Sequence, residues 1–323
     1  MSESPSSART AGREMSCNAG KNTESKTGGV CGVLLVGHGT RDPRGTEEFF
    51  QLGQKLAERM SHRFAMRSIE VRSIVQPCLL EFQSPTIEEG WRNLIDAGAG
   101  RIVIAPLLLF AAGHAKSDIP DEIRRVAEIT GTLDRISGFS RPLSRQSELI
   151  RLVRERLVES LGINQPSNDP KLEKRTAVVM VGRGSLDPCA SSDMRLLTEV
   201  ALRGKQVFGE VENQSTACLS LADAASLSSA SVATTFYAMV EPRLPDTLRR
   251  IGESGRFDRI IVQPHLLFSG RLYDAIVRQT EEAGNEFDEI EFVVSRYLGP
   301  VKEVADAILA RVEAVVNLRV PTV

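Results

Sequence analysis

The feature that most constrains this chain is a repeat inside it. Val33–Val36 is apolar and runs into Gly37-His38-Gly39, and Ala177–Val181 runs in the same way into Gly182-Arg183-Gly184. Thr40-Arg41-Asp42-Pro43 recurs as Ser185-Leu186-Asp187-Pro188. Glu81, with Pro85 four residues on, pairs with Glu241 and Pro245. Arg101–Pro106 recurs as Arg259–Pro264, and Leu108-Leu109-Phe110 as Leu266-Leu267-Phe268. Each match is weak alone, but five in the same order indicate a duplication, two copies of one structural unit in tandem. From the glycine turn to the glutamate the second copy runs 59 residues against 44. The 15 extra residues are expected within Asn213–Ser231, as a longer helix or a surface loop.

The hydrophobic pattern says what the unit is. Gly32–Val36, Glu70–Val75, Arg101–Leu108 and a short run near Arg135–Phe139 read as strands. Between them lie segments of helical spacing: Thr46–Arg63, with Phe49, Leu52, Leu56 and Met60 on one side, then Pro85–Ala97, Asp118–Ile129 and Ser144–Leu161. Arg101–Leu108 is nearly continuous in apolar residues, as a strand buried on both faces of a parallel sheet is. Alternating strands and helices predict a three-layer α/β lobe, its mainly parallel central sheet flanked by helices. The predicted boundaries are a disordered tail over 1–29, an N-terminal lobe over 30–161, a linker over 162–174 rich in Pro, Asn and charge, a C-terminal lobe over 175–316, and a short tail over 317–323.

Composition narrows the function. A chain of 323 residues, 41% hydrophobic and 25% charged, has the makings of folded domains. Forty Lys and Arg against 42 Asp and Glu leave a net charge of −2, which excludes a nucleic-acid partner held by overall charge. No apolar run reaches the ~18 to 20 residues that span a bilayer, so no membrane association is expected. Five scattered cysteines without a CxxC suit a reducing cytoplasm and give neither a disulfide framework nor a zinc knuckle. No glycine-rich phosphate loop is present, so no nucleotide cofactor is implied.

Chemistry must then rest on few residues. The chain has four histidines. His62, at a helix end, reads as a solvated cap, and His265, aligned with Leu107, as packing. His38 and His114 each stand beside glycine beyond a strand, and Glu81 stands beyond another. In open α/β sheets the crevice at the carboxyl ends of the strands is where ligands bind. Two imidazoles and a carboxylate there suit a borderline divalent metal or proton abstraction near neutral pH. The run His38-Gly39-Thr40-Arg41 also has some likeness to the active-site turn of histidine phosphatases. Gly37 stands where those have an arginine, and half of a phosphate clamp is therefore missing.

Taken together, Leu34–Pro43, Leu80-Glu81 with Pro85-Thr86-Ile87, Ala105–Phe110, Gly113-His114 and Asp118-Ile119-Pro120 resemble the CbiX/SirB class II chelatases. The resemblance covers nearly all of Gly32–Ala310 and implies two lobes facing each other across a cleft. It implies insertion of Co²⁺ or Fe²⁺ into sirohydrochlorin, for cobalamin or sirohaem, with no cofactor beyond the substrate metal. His38, His114 and Glu81 take the family's metal-site and catalytic positions. In the second lobe Arg183 stands in place of His38, and Arg271, allowing a one-residue gap, in place of His114. Arginine does not lose its proton and is a poor metal ligand. It does make bidentate contacts with carboxylates, so Arg183 and Arg271, with Arg41, are candidate contacts for the substrate's acidic side chains. A tetrapyrrole or metal carrier without turnover is the alternative, and a phosphohydrolase a lesser one. Two lobes in one chain favour a monomer.

Overall fold

The computed structural model describes residues 30–66, 72–110, 117–162, 175–206 and 219–316. Both tails and nearly all of the predicted linker lie outside these residues, as does His114.

The first sheet is built from β1 (Val30–Gly37), β2 (Ser73–Leu79), β3 (Ala99–Pro106) and β4 (Ile136–Phe139), in the order β2-β1-β3-β4 and parallel throughout. The second uses β5 (Thr176–Gly182), β6 (Val232–Phe236), β7 (Arg259–Pro264) and β8 (Glu291–Val294), ordered β8-β7-β5-β6 and again parallel. The two orders are the same when β5 is laid on β1. Central strands need apolar residues on both faces, and β1 and β5 supply them, with Val33–Leu35 and Ala177–Val181 fully buried.

Helices fill the crossovers. In the first half these are α1 (Pro43–Met66), α2 (Ile87–Asp96), α3 (Asp118–Ile129) and α4 (Ser147–Leu161). In the second they are α5 (Pro188–Arg203), α6 (Leu244–Glu253), α7 (Arg271–Glu286) and α8 (Lys302–Val316). Along α1, Phe49, Leu52, Leu56, Met60 and Phe64 are buried at three- and four-residue spacing, one apolar stripe against the sheet. Helix α2 starts at a capping box, in which Thr86 accepts from the Glu89 N–H and the Glu89 carboxylate accepts from the Thr86 N–H. Its Trp91 is fully buried, and the indole N–H donates to Thr132 Oγ1 at 3.0 Å.

Alternate residues of a strand point to opposite faces, and the core divides accordingly. Leu34 and Val36 pack outward with Trp91, Leu94, Ile119 and Ile123. Val179 and Val181 do the same with Leu244, Leu248 and Ile276. The inward residues of both sheets, Val33 and Leu35 with Val178 and Met180, belong to a single core that runs through the molecule.

That shared core follows from an exchange that chain order alone does not announce. Helix α4, which ends the first half, packs on α5 and β7 of the second. Helix α8, which ends the second half, packs on α1, β3 and β4 of the first. Polar contacts tie both arrangements down. Arg59 forms a two-pronged ion pair with Asp306 at 2.7 and 2.9 Å, and Arg311 donates to the Ser144 carbonyl at 2.7 Å. On the other side Ser160 and Ser295 hydroxyls meet at 2.6 Å, and Arg259 donates to the Ser160 carbonyl at 2.7 Å.

Matching backbone bonds in the two halves change two of the residue pairings expected from the sequence. Glu81 does not correspond to Glu241. The Leu79 N–H donates to the Pro85 carbonyl, as the Phe236 N–H does to that of Pro242. The Glu81 N–H donates to the His38 carbonyl at 3.0 Å, as the Ala238 N–H does to that of Arg183 at 2.9 Å. Ala238 is therefore the counterpart of Glu81, and Glu241 that of Ser84. Glu241 is spent locally, accepting from the Arg243 N–H and forming an ion pair with the same guanidinium. The second copy is thus twelve residues longer up to this point, not fifteen. The extra length does not extend the helix, since α5 has 16 residues against 24 in α1. Of the stretch that holds it, the described part includes a short pairing of Lys205–Gln206 with Leu219–Ser220, a helical turn at Leu221–Ala224 and a 3-10 turn at Ser229–Ser231.

The second correction concerns Arg271. The Leu107 N–H bonds the Val36 carbonyl and the His265 N–H bonds that of Val181, so the two halves are in step there. From Phe110 to the cap Ser117 takes seven residues, but from Phe268 to the cap Gly270 only two. Arg271 opens α7 as Asp118 opens α3. The second half has dropped the segment in which His114 stands, so Arg271 does not replace it.

Candidate active site

The carboxyl ends of β2, β1 and β3 lie side by side, and the turn after β1 sits among them. Gly39 has φ +94°, a conformation that side chains rarely adopt, and a Cβ there would collide with the Glu81 carbonyl oxygen. This close approach, with the Glu81-to-His38 backbone bond, brings the two candidate residues to adjoining backbone positions on one edge. His38 is partly buried and Glu81 is exposed. The His38 imidazole stacks near Phe82, with ring centroids 6.5 Å apart and 22° between planes. Arg41 is exposed, its guanidinium carbon 5.0 Å from the Phe82 ring centroid.

The second half repeats the turn without the ligands. Gly184 has φ +90°, and a Cβ there would collide with the Ala238 carbonyl oxygen. Arg183 occupies the His38 position, exposed to solvent, and Ala238 the Glu81 position. Arginine stays protonated and alanine has no donor, so this second turn offers no metal ligand at those two positions.

The two sheet edges are joined. Arg44 bonds Asp42 at 2.8 Å and reaches across to Asp274 on α7 at 2.6 Å. The Arg44 guanidinium, with a smaller contribution from Arg271, holds the buried Asp42 carboxyl below the ordinary carboxylate range. Arg271 therefore stands beside the turn that follows His38, at the junction of the halves. Glu48 accepts from the Ser269 N–H at 2.7 Å and from the Tyr297 hydroxyl at 2.5 Å. Asp193, the counterpart of Glu48, is held from the first half by Arg145 at 2.6 Å. These contacts were not foreseen from the sequence; only the repeated Asp-Pro at 42–43 and 187–188 hinted that the turns matter.

His114 lies outside the described residues, and among the described residues no three His, Cys, Asp or Glu side chains gather as a metal site. His38 and Glu81 supply two donors at this edge. His62 is exposed, but α1 runs on to Met66, so it is a surface residue within the helix and not the cap expected from the sequence. His265 is 4% exposed and packs on Phe110, with centroids 5.4 Å apart. Burial pushes its pKa down to about 4, so it stays neutral. Two surface hollows, of about 420 and 310 Å³, are lined by residues such as Thr280 and Phe292, and Arg175 and Arg256, and no residue of either glycine turn lines them.

Comparison with known proteins agrees with this layout. The CbiX family profile matches residues 32–160 and, separately, 177–315. A sirohydrochlorin ferrochelatase of Priestia megaterium is 30% identical over 267 residues, 83% of this chain and 84% of its own length. A sirohydrochlorin cobaltochelatase of the same organism is 28% identical over 83% of this chain and 74% of its own. Among solved structures, SirB from Bacillus subtilis with Fe³⁺ superposes with a TM-score of 0.65 at 26% identity, covering 88% of this chain and 95% of that one. The duplicated parallel sheets, the paired glycine turns and the two separate profile matches lead to one conclusion: the chain belongs to the CbiX family.

Proposed function

We propose that the chain is a sirohydrochlorin chelatase, a lyase-type enzyme that inserts Co²⁺ or Fe²⁺ into a carboxylate-rich tetrapyrrole for cobalamin or sirohaem. The observation that carries this is the His38–Glu81 arrangement at the carboxyl edge of the first sheet, in a chain whose relatives of similar length are ferro- and cobaltochelatases. Insertion must take two protons from the ring nitrogens and exchange the metal's water for those nitrogens. Imidazole suits both halves of that task, because it is a good ligand for these metals when neutral and an acceptor of protons near neutral pH. His38 passes the metal to the ring or accepts a released proton, Glu81 supports it as ligand or proton relay, and His114 is assigned the same work. Arg41, Arg183 and Arg271 hold substrate carboxylates. Arg271 does this from the junction beside Asp42 rather than from a mirror of His114. The domain arrangement we adopt is one active N-terminal lobe and one C-terminal lobe with no metal site.

Among the described residues no helix is long and apolar enough to cross a membrane. We further infer a cytoplasmic monomer that binds no nucleic acid. The reaction is tested by adding Co²⁺ or Fe²⁺ to the protein with sirohydrochlorin and following the visible spectrum. Catalysed conversion supports a chelatase, whereas a bound, unconverted spectrum means a carrier.

A further inference from the structure

Two corners of the fold break the same local rule. Phe82 has φ 72° and Met239 has φ 68°, in the left-handed region where large side chains are disfavoured and glycine or asparagine is usual. They occupy one position in the two halves. Each follows the residue, Glu81 or Ala238, whose N–H bonds the carbonyl of His38 or Arg183. Both side chains are half exposed, Phe82 at 54% and Met239 at 49%. Leu186, the counterpart of Arg41, is 80% exposed beside the second turn. Such groups add nothing to the core, and each of Phe82 and Met239 centres a tight turn closed by a backbone bond, Gln83 N–H to the Glu81 carbonyl and Val240 N–H to that of Ala238. The strained geometry is thus the same at both corners and motivates a functional reading.

Their surroundings say what they would touch. Phe82 offers an aromatic surface beside His38, with the Arg41 guanidinium near it. Met239 offers a soft thioether on the half that carries Arg183. Ring and thioether suit the face of a flat conjugated macrocycle, and guanidinium suits a carboxylate rim. Resting on the chelatase reading, we infer that Phe82 and Met239 are paired specificity-determining residues. One from each half contacts the ring face of the tetrapyrrole and sets its affinity independently of the metal.

The test uses the full chain with Phe82→Asn or Met239→Asn, because asparagine accepts the positive φ. Tetrapyrrole binding is read without metal by fluorescence quenching, beside metallation kinetics and thermal melting. Each variant should keep or raise the melting temperature, weaken tetrapyrrole Kd and KM by about tenfold, and leave the KM for metal unchanged. Variants that bind the tetrapyrrole as the wild type does would overturn the inference while leaving the chelatase reading intact. Melting that falls in step with activity would also overturn it, by assigning the residues a structural role. A wild-type chain that neither binds nor metallates the tetrapyrrole would overturn both.

Discussion

Gly39 and Gly184 form a matched pair that separates stability from chemistry. Each lies at positive φ and has no room for a Cβ against a carbonyl oxygen, of Glu81 in one case and Ala238 in the other. Alanine at either should cost about 1–3 kcal/mol by combined strain and displacement. Denaturant unfolding should show similar losses for Gly39→Ala and Gly184→Ala. Only Gly39→Ala moves the His38–Glu81 pair, so metallation at a temperature where both variants are folded should fall much further for it. His265 makes a different prediction. Its folded pKa of about 4 lies below the imidazole norm, so the unfolded chain takes up the proton first. The neutral form's contribution is whole above about pH 6.5 and is lost as pH falls towards 4, an amount on the order of 3 kcal/mol. His265→Leu, which copies Leu107 of the first half, should flatten the acid limb of stability against pH. At this scale the sequence was readable where a residue is tied to its neighbours, as His38 is to its glycines. It misled at Glu241, because prolines stand both one and four residues after it, and only the backbone bonds choose Pro242.

The secondary-structure elements were mostly legible, for reasons of period and punctuation. Asp118–Ile129 is a helix over the expected residues, because its apolar positions recur at helical spacing and Pro120 fits a first turn. Strand β2 covers Ser73–Leu79 and so runs on past the end expected at Val75, where Gln76 and Pro77 interrupt its apolar run; the expected residues 70 and 71 lie outside the described residues. The helix exchange could not be read at all. An amphipathic stripe states that a face must be buried and is silent on which sheet buries it. The exchange predicts that removing residues 302–316, the last element of the second half, damages the first. Hydrogen exchange of the truncated chain should show β3 and β4 losing protection. Loss confined to β5–β8 would contradict the arrangement.

At the scale of the molecule the two halves are one folding unit, because their inward faces share a core and each closes the other. A fragment of residues 30–161 should therefore fail to melt cooperatively, since the face that α8 covers would be bare and α4 would have no sheet to pack on. The duplication leaves two matched turns, with His38 and Glu81 at one and Arg183 and Ala238 at the other. The second half retains the glycine geometry with Arg183 and Ala238, and under the proposed function Arg183 serves to hold a substrate carboxylate. Under the same proposal His38 performs metal insertion at the edge of the first sheet. The most direct measurement is the rate of metallation of sirohydrochlorin by wild-type and His38→Ala protein, at saturating tetrapyrrole and metal, on samples of equal melting temperature. In the variant kcat should be lower by about 10²–10⁴, with tetrapyrrole binding retained. An unchanged kcat would contradict this role of His38.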